Sequence, residues 1–263
     1  MESSTLDIVY LFRHSKHGDQ EILYSLRSVA HHLSFIRKVW VFGDKPEFMS
    51  GDKSLIEHLG HGYIAPLLGY RLPVRNDFLL LFLASLIPEL AFSFVRFADD
   101  YIILQPLTHE QLCTPRAVDD LNKQTVRGCG GWKDQLWRTF DALKQYGYAG
   151  YNFESHVPQP YTRRIAFESF MAFRQFLSEE RYEGLVTGTT IYNYALKHYQ
   201  LPFIWLAEEQ SRAGFYGHCP SEIEIEASCR EKLFLNFDSG GFGAPMQQFL
   251  EKTFPDPCKY EKA

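Results

Sequence analysis

The chain has 263 residues, enough for one large domain or two small ones. Apolar residues make up 45%, aromatics 16% and charged residues 22%, which excludes a disordered, collagen-like or disulfide-stapled chain. With 27 Lys and Arg against 32 Asp and Glu the formal charge is −5, so binding DNA or RNA through a broad basic surface is disfavoured.

Leu6-Asp7-Ile8-Val9-Tyr10-Leu11-Phe12 is a short apolar run suited to a buried strand. It ends in the polar stretch Arg13–Asp19. Ile22, Leu23, Leu26, Val29, Ala30 and Leu33 then recur at helical spacing. Lys38-Val39-Trp40-Val41-Phe42-Gly43 reads as a second buried strand stopped by glycine. This β-α-β opening predicts a parallel pair with a right-handed crossover. A third strand is expected near Ser54–His58, a buried helix over Asp77–Glu89, and strands at Phe92–Phe97 and Tyr101–Leu104. Further on, helices are expected at 133–146, 165–178, 188–198 and 245–253, with strands at Phe203–Leu206 and Leu233–Phe237. Repeated βα units without a repeat period predict one open α/β domain with a less regular second half.

The five cysteines, Cys113, Cys129, Cys219, Cys229 and Cys258, are odd in number and form no CxxC pair, against a zinc ribbon or a disulfide framework. Free thiols suit a reducing compartment. Met1–Thr5 is polar and unlike a signal peptide. The longest apolar stretch, Phe78 to Pro88, is about half of what a membrane span needs. These features predict a cytoplasmic chain with no membrane span.

Four constellations could carry chemistry. Asp99-Asp100 follows an apolar strand, where adjacent carboxylates are costly together unless a cation separates them. Carboxylates at such a strand end can hold Mg²⁺ or Mn²⁺ against a diphosphate; the plain alternative is a solvated turn. In Glu154-Ser155-His156-Val157-Pro158-Gln159-Pro160 two prolines fix an extended loop, so Glu154 and His156 are held, and His156 can act as base, metal ligand or phosphate donor. The alternative is a rigid surface loop. In Leu235-Asn236-Phe237-Asp238 the strand period puts Asn236 and Asp238 on one face, ahead of the glycines at 240, 241 and 243. Arg27 lies one residue past Leu26 on the first helix, where a guanidinium could clamp a pyrophosphate or simply face solvent. Arg75 and Asn76 open the buried helix, where Asn76 or Asp77 could equally be its cap. The glycine-rich stretch Gly128–Gly131 lacks phosphate-cradle spacing and reads as a flexible connection.

In their order along the chain, these pieces resemble a family. The opening Asp7–Tyr10, Glu21–Ser28 and Arg37–Pro46 are similar to the start of Stealth-type sugar-phosphate transferases and of related phage and bacterial GT-A glycosyltransferases, some grouped with base J glucosyltransferases. Ala98-Asp99-Asp100-Tyr101 stands where those families have Asn-Asp-Asp-Phe, His156-Val157-Pro158 matches their His-x-Pro loop, and Leu235–Asp238 with Phe254–Glu261 corresponds to their last strand and tail. Ala98 departs from the usual Asn, Phe237 separates Asn236 from Asp238, and the first loop lacks the Trp-Val-(Asn/Asp)-Gly segment of Stealth proteins.

The resemblance implies a GT-A (Rossmann-like) open, mostly parallel sheet flanked by helices. Residues 1–125 would form the nucleotide-sugar half and 126–263 the acceptor half. It implies a nucleotide-diphosphosugar donor, first a UDP-sugar, a glycan or other hydroxyl acceptor, and Mn²⁺ or Mg²⁺. Asp99, Asp100 and His156 would face the metal. Tyr10, Leu11, Phe12 and Arg13 would meet the nucleotide, with Arg27 near the phosphates and Arg75 and Asn76 also among the donor-binding residues. Asp238, His156 and Glu154 would stand at the reaction centre, Asp238 first as base. The alternatives carried forward are sugar-1-phosphate transfer and a non-catalytic nucleotide- or glycan-binding module. The base J likeness alone suggests a DNA acceptor.

Overall fold

A computed structural model describes residues 6–262; the polar segment Met1–Thr5 lies outside the described residues. The chain runs β1 (Leu6–Phe12), α1 (Gln20–His32), β2 (Ile36–Gly43), β3 (Ile56–Leu59), α2 (Asp77–Ser85), β4 (Ser93–Phe97) and β5 (Tyr101–Ile103). Then come α3 (His109–Leu112), β6 (Arg116–Ala117), β7 (Asp119–Asp120), α4 (Gly131–Gln145), β8 (Tyr151–Asn152), β9 (Gln159–Thr162) and α5 (Arg163–Ala172). The chain ends with α6 (Thr187–Tyr199), β10 (Ile204–Trp205), α7 (Leu206–Glu209), β11 (Arg212–Phe215), α8 (Glu222–Cys229), β12 (Phe234–Phe237) and α9 (Ala244–Thr253).

The main sheet has the order β3-β2-β1-β4-β9, parallel except for β9, which runs antiparallel to β4. Its central strands alternate between two apolar layers. Ile8, Tyr10 and Phe12 join the layer of α1, with Ile22, Leu26 and Val29. Val9, Trp40, Phe42 and Phe94 join the layer of α2, α5 and α6. β2 ends at Gly43, whose backbone comes so near β1 that a Cβ there would lie 2.0 Å from the Phe12 carbonyl oxygen. Only glycine tolerates that approach together with its positive φ.

At the opposite end of β1, buried Asp7 accepts from Arg37 Nε at 2.8 Å, Trp40 Nε1 at 2.9 Å and the Ala91 amide at 2.9 Å. A buried carboxylate survives because its donors replace water.

A second sheet, β11-β12-β5, has β12 parallel to β11 and antiparallel to β5. It packs on α8 and α9 through Ile225, Met246 and Leu250. β5 also lies against α1, where the buried serines Ser25 and Ser28 bond Tyr101 O at 2.6 Å and Ile103 N at 3.1 Å. The turn between β4 and β5 therefore carries the chain from one sheet into the other.

The α/β class and the mostly parallel helix-flanked sheet agree with the sequence reading. α2 stops at Ser85, short of Glu89, because Pro88 disfavours helix for the residue before it and cannot donate the next helical bond. α5 ends at Ala172, not 178, and Leu206 opens α7 instead of ending a strand. Among the described residues, no helix is long and apolar enough to cross a membrane.

Candidate functional site

In the main sheet the order reverses between β1 and β4: β2 and β3 lie to one side, β4 and β9 to the other. Ligands of open α/β sheets bind beyond the carboxyl ends of the strands at such a switch point. Asp99 and Asp100 stand there, directly after β4. The rim around them comes from five segments: the β1–α1 loop leading into Glu21 at the start of α1, the 98–101 turn, the Glu154–His156 loop, Tyr216–Gly217 after β11, and Asn236–Phe242. His17 of the first loop packs its ring edge-on to Phe242 at 5.2 Å, which closes the ring of segments.

Asp99 and Asp100 are both half-buried, and both carboxyls are pushed upward. For Asp99 the first cause is burial, then the charge of Glu21; for Asp100 it is burial, then Asp99. Arg96 and backbone amides pull the other way. Asn236 of β12 donates from Nδ2 to Asp100 Oδ2 at 2.7 Å, and Tyr216 donates its hydroxyl to Asn236 Oδ1. Asn236 is thus the link from the second sheet to the carboxylate pair.

Among the described residues, no group of three His, Cys, Asp or Glu side chains is arranged to hold a metal ion. Asp99 and Asp100 fit the other mode of binding Mg²⁺ or Mn²⁺, in which the protein supplies one or two carboxylates and water and substrate phosphates complete the shell. The upward shift of both carboxyls is what two desolvated like charges show without a counter-charge between them.

His156 is exposed at the rim, while the groups packed around it still desolvate its ring. Burial first, then Arg212 and Arg96, lower it to about 4, so it is neutral near pH 7. Its φ of 52° is left-handed, unusual for a residue with a Cβ and characteristic of functional loops. Arg212 fixes the loop by donating to the Ser155 carbonyl at 2.8 Å, and the His156 ring lies 5.7 Å from Tyr216. Glu154 accepts from the Thr189 amide at 2.9 Å, in the first turn of α6, and burial raises its carboxyl.

Asp238 is at the same rim, but its carboxylate accepts three amides: Gly217 at 2.8 Å, Gly240 at 2.8 Å and Gly241 at 2.9 Å. These hold it below the usual carboxylate range, which suits a turn-locking group better than a base.

The expected nucleotide and phosphate contacts are dispersed. Tyr10 is fully buried with its hydroxyl 2.8 Å from Ser25 Oγ, and Phe12 is buried too. Leu11 packs into the α2 layer, and Arg13 is exposed beside the carboxyl end of β1. Even alternation along a central strand sends these side chains into the two layers instead of out of the strand end. Arg27 spends its guanidinium on Glu261, at 2.9 and 2.8 Å, and on the Phe254 carbonyl at 3.1 Å. Asn76 is the cap of α2, accepting from the Phe78 and Leu79 amides at 3.1 and 3.2 Å, and exposed Arg75 pairs with Glu180.

Sequence reasoning passed over Arg96, Tyr216 and Arg212. Arg96 reads as an ordinary strand residue, and Arg212-Ala213-Gly214-Phe215 lacks the apolar run that marks a strand. A cleft of about 460 Å³ lies elsewhere, against α4, lined by Arg127, Trp137, Arg138 and Asp141 among others, and includes none of the expected site residues.

Comparison with family models finds no match to the chain, and comparison with curated proteins finds none either.

Proposed function

We propose that this chain is a GT-A-type glycosyltransferase, moving a sugar from a nucleotide-diphosphosugar to a hydroxyl acceptor with a divalent cation at Asp99 and Asp100. The observation that carries this reading is the adjacent, half-buried carboxylate pair at the carboxyl end of β4, at the point where the order of the main sheet reverses. Cleavage at an anomeric carbon leaves a nucleoside diphosphate whose growing charge needs neutralising. A bound cation supplies that neutralisation.

The chain's own residues do the rest. Asn236 fixes the rotamer of Asp100 through its 2.7 Å bond, and Tyr216 fixes Asn236. His156, exposed at the rim and without a side-chain hydrogen bond among the described residues, is the side chain free to meet an acceptor hydroxyl. Asp238 shapes the glycine turn that walls the site.

A panel of UDP-, GDP-, dTDP- and CMP-sugars read by thermal shift with and without Mn²⁺ tests this, because a true donor stabilises by mass action. The expected result is a rise in Tm with one nucleotide class that needs Mn²⁺, together with release of the nucleotide on adding an acceptor. Asp99→Ala with Asp100→Ala removes both. Full turnover by that double variant would sink the proposal.

A further inference from the structure

Arg96 has no part in the chemistry above, yet it brings a buried charge to the site. It lies in β4 on the same face as Phe94, with its side chain only 11% exposed. NH2 donates to Asp77 Oδ2 at 2.7 Å, its one hydrogen bond among the described residues. Nε is buried without an acceptor. A buried N–H left unpaired is rare in a native protein and calls for an explanation.

Two more buried polar atoms without partners belong to neighbours of the Glu154 carboxylate: Ser155 Oγ, on the next residue, and Thr187 Oγ1, in the turn of α6 that Glu154 caps. The charge of Arg96 acts on Glu154, Asp99 and Asp100, but none of the three forms an ion pair with it. Arg96 thus keeps donors unspent beside the Glu154 loop, which is tied to β4 by Gln159: it pairs with Arg96 across the two strands and donates from Nε2 to the Phe153 carbonyl at 2.6 Å.

The charges around Arg96 select what its unspent donors could take. A phosphate or carboxylate would face Asp77, Asp99, Asp100 and Glu154. An ammonium would face Arg96. A hydroxyl suits both sides, since it accepts from a guanidinium and donates to a carboxylate. Two neighbouring hydroxyls on a ring span such a pair.

We propose that Arg96 and Glu154 form a clamp for neighbouring hydroxyls of the donor sugar, an inference that rests on the glycosyltransferase reading. Arg96 is then a specificity residue for the sugar and not for the nucleotide.

Calorimetry in the presence of Mn²⁺ separates these roles. UDP-glucose, UDP-galactose and UDP-N-acetylglucosamine are each titrated against UDP, and the ratio of the sugar-nucleotide Kd to the UDP Kd is compared among wild type, Arg96→Lys and Glu154→Gln. Loss of a hydrogen bond to a charged group predicts a rise of about tenfold in that ratio in each variant, with the Kd for UDP changed less than about twofold. Glu154→Gln keeps an acceptor for the Thr189 amide and carries the test alone if Arg96→Lys does not fold. A ratio unchanged in the folded variants, or a UDP affinity that falls in step with the sugar nucleotide, overturns the clamp. Wild-type protein that binds neither UDP nor any of the three sugar nucleotides overturns the glycosyltransferase reading first, and the clamp with it.

Discussion

His32 ends α1 with its ring against His31 at 4.5 Å and Phe254 at 5.8 Å, and with Nδ1 buried and unpartnered. Burial first, then the His31 charge, lowers it to about 4 from an ordinary 6.5. Between those two values the unfolded chain takes up a proton that the folded chain refuses. Stability is therefore complete above about pH 6.5 and falls as the pH drops toward about 4. His156 acts in the same direction. Tm measured from pH 7 to pH 4.5 should fall less steeply in His32→Gln than in wild type; parallel curves would show that this ring does not titrate as its surroundings dictate. Asp7 makes the contrasting case of a buried charge with its donors in place. Asp7→Ala leaves Arg37 Nε and the Trp40 indole without their acceptor and should lower stability by about 3–5 kcal/mol, read from urea midpoints. At this scale the sequence was informative about identity and silent about commitment. Asn236 could be singled out beside a glycine turn, but nothing in the string Val95-Arg96-Phe97 signals a guanidinium with unspent donors.

The elements that sequence periodicity describes best are those that bury one or two whole faces. β1, α1 and β2 fall within two residues of their expected limits because their apolar positions are dictated by the layers on either side. β9 escapes because Pro160 sits inside it, tolerated where an antiparallel edge strand needs no donor at that position. α8 escapes although Ser221 and Glu224 form a capping box at its start, a signal present in the sequence and not used. Arg27 shows how an element's partner, and not its own pattern, decides a role. The C-terminal tail folds back on α1, and Glu261 takes both edges of the guanidinium in a pair with side chains 13% and 8% exposed. Arg27→Ala strands that carboxylate and should cost about 2–4 kcal/mol, since breaking a largely buried pair leaves a charge uncompensated. Below the transition, the same variant should bind UDP with Mn²⁺ as wild type does. A loss of UDP affinity in a protein still folded by circular dichroism would return Arg27 to the phosphates.

At the scale of the whole molecule, the carboxylate pair is where two sheets are tied. The main sheet supplies Arg96 and the turn bearing Asp99 and Asp100; the second sheet supplies Asn236, Tyr216 and Arg212. No local pattern announces this, because strand order is a long-range choice: β11 and β12 reach β5 only after more than a hundred intervening residues. The arrangement has a consequence for dynamics. A ligand held by Asp99 and Asp100 engages the first sheet directly and the second through Asn236, so both should stiffen together. Hydrogen exchange with UDP and Mn²⁺ should slow amides at 99–101, 154–156, 216–217 and 236–241 in concert. Asn236→Ala removes the Nδ2 bonds from β12 to Asp100, at 2.7 Å to its carboxylate and 3.4 Å to its carbonyl, and should leave protection at 99–101 while releasing 216–217 and 236–241. Protection confined to the first sheet in wild type would mean that the second sheet only supports the fold, and that the site is built from β1 and β4 alone.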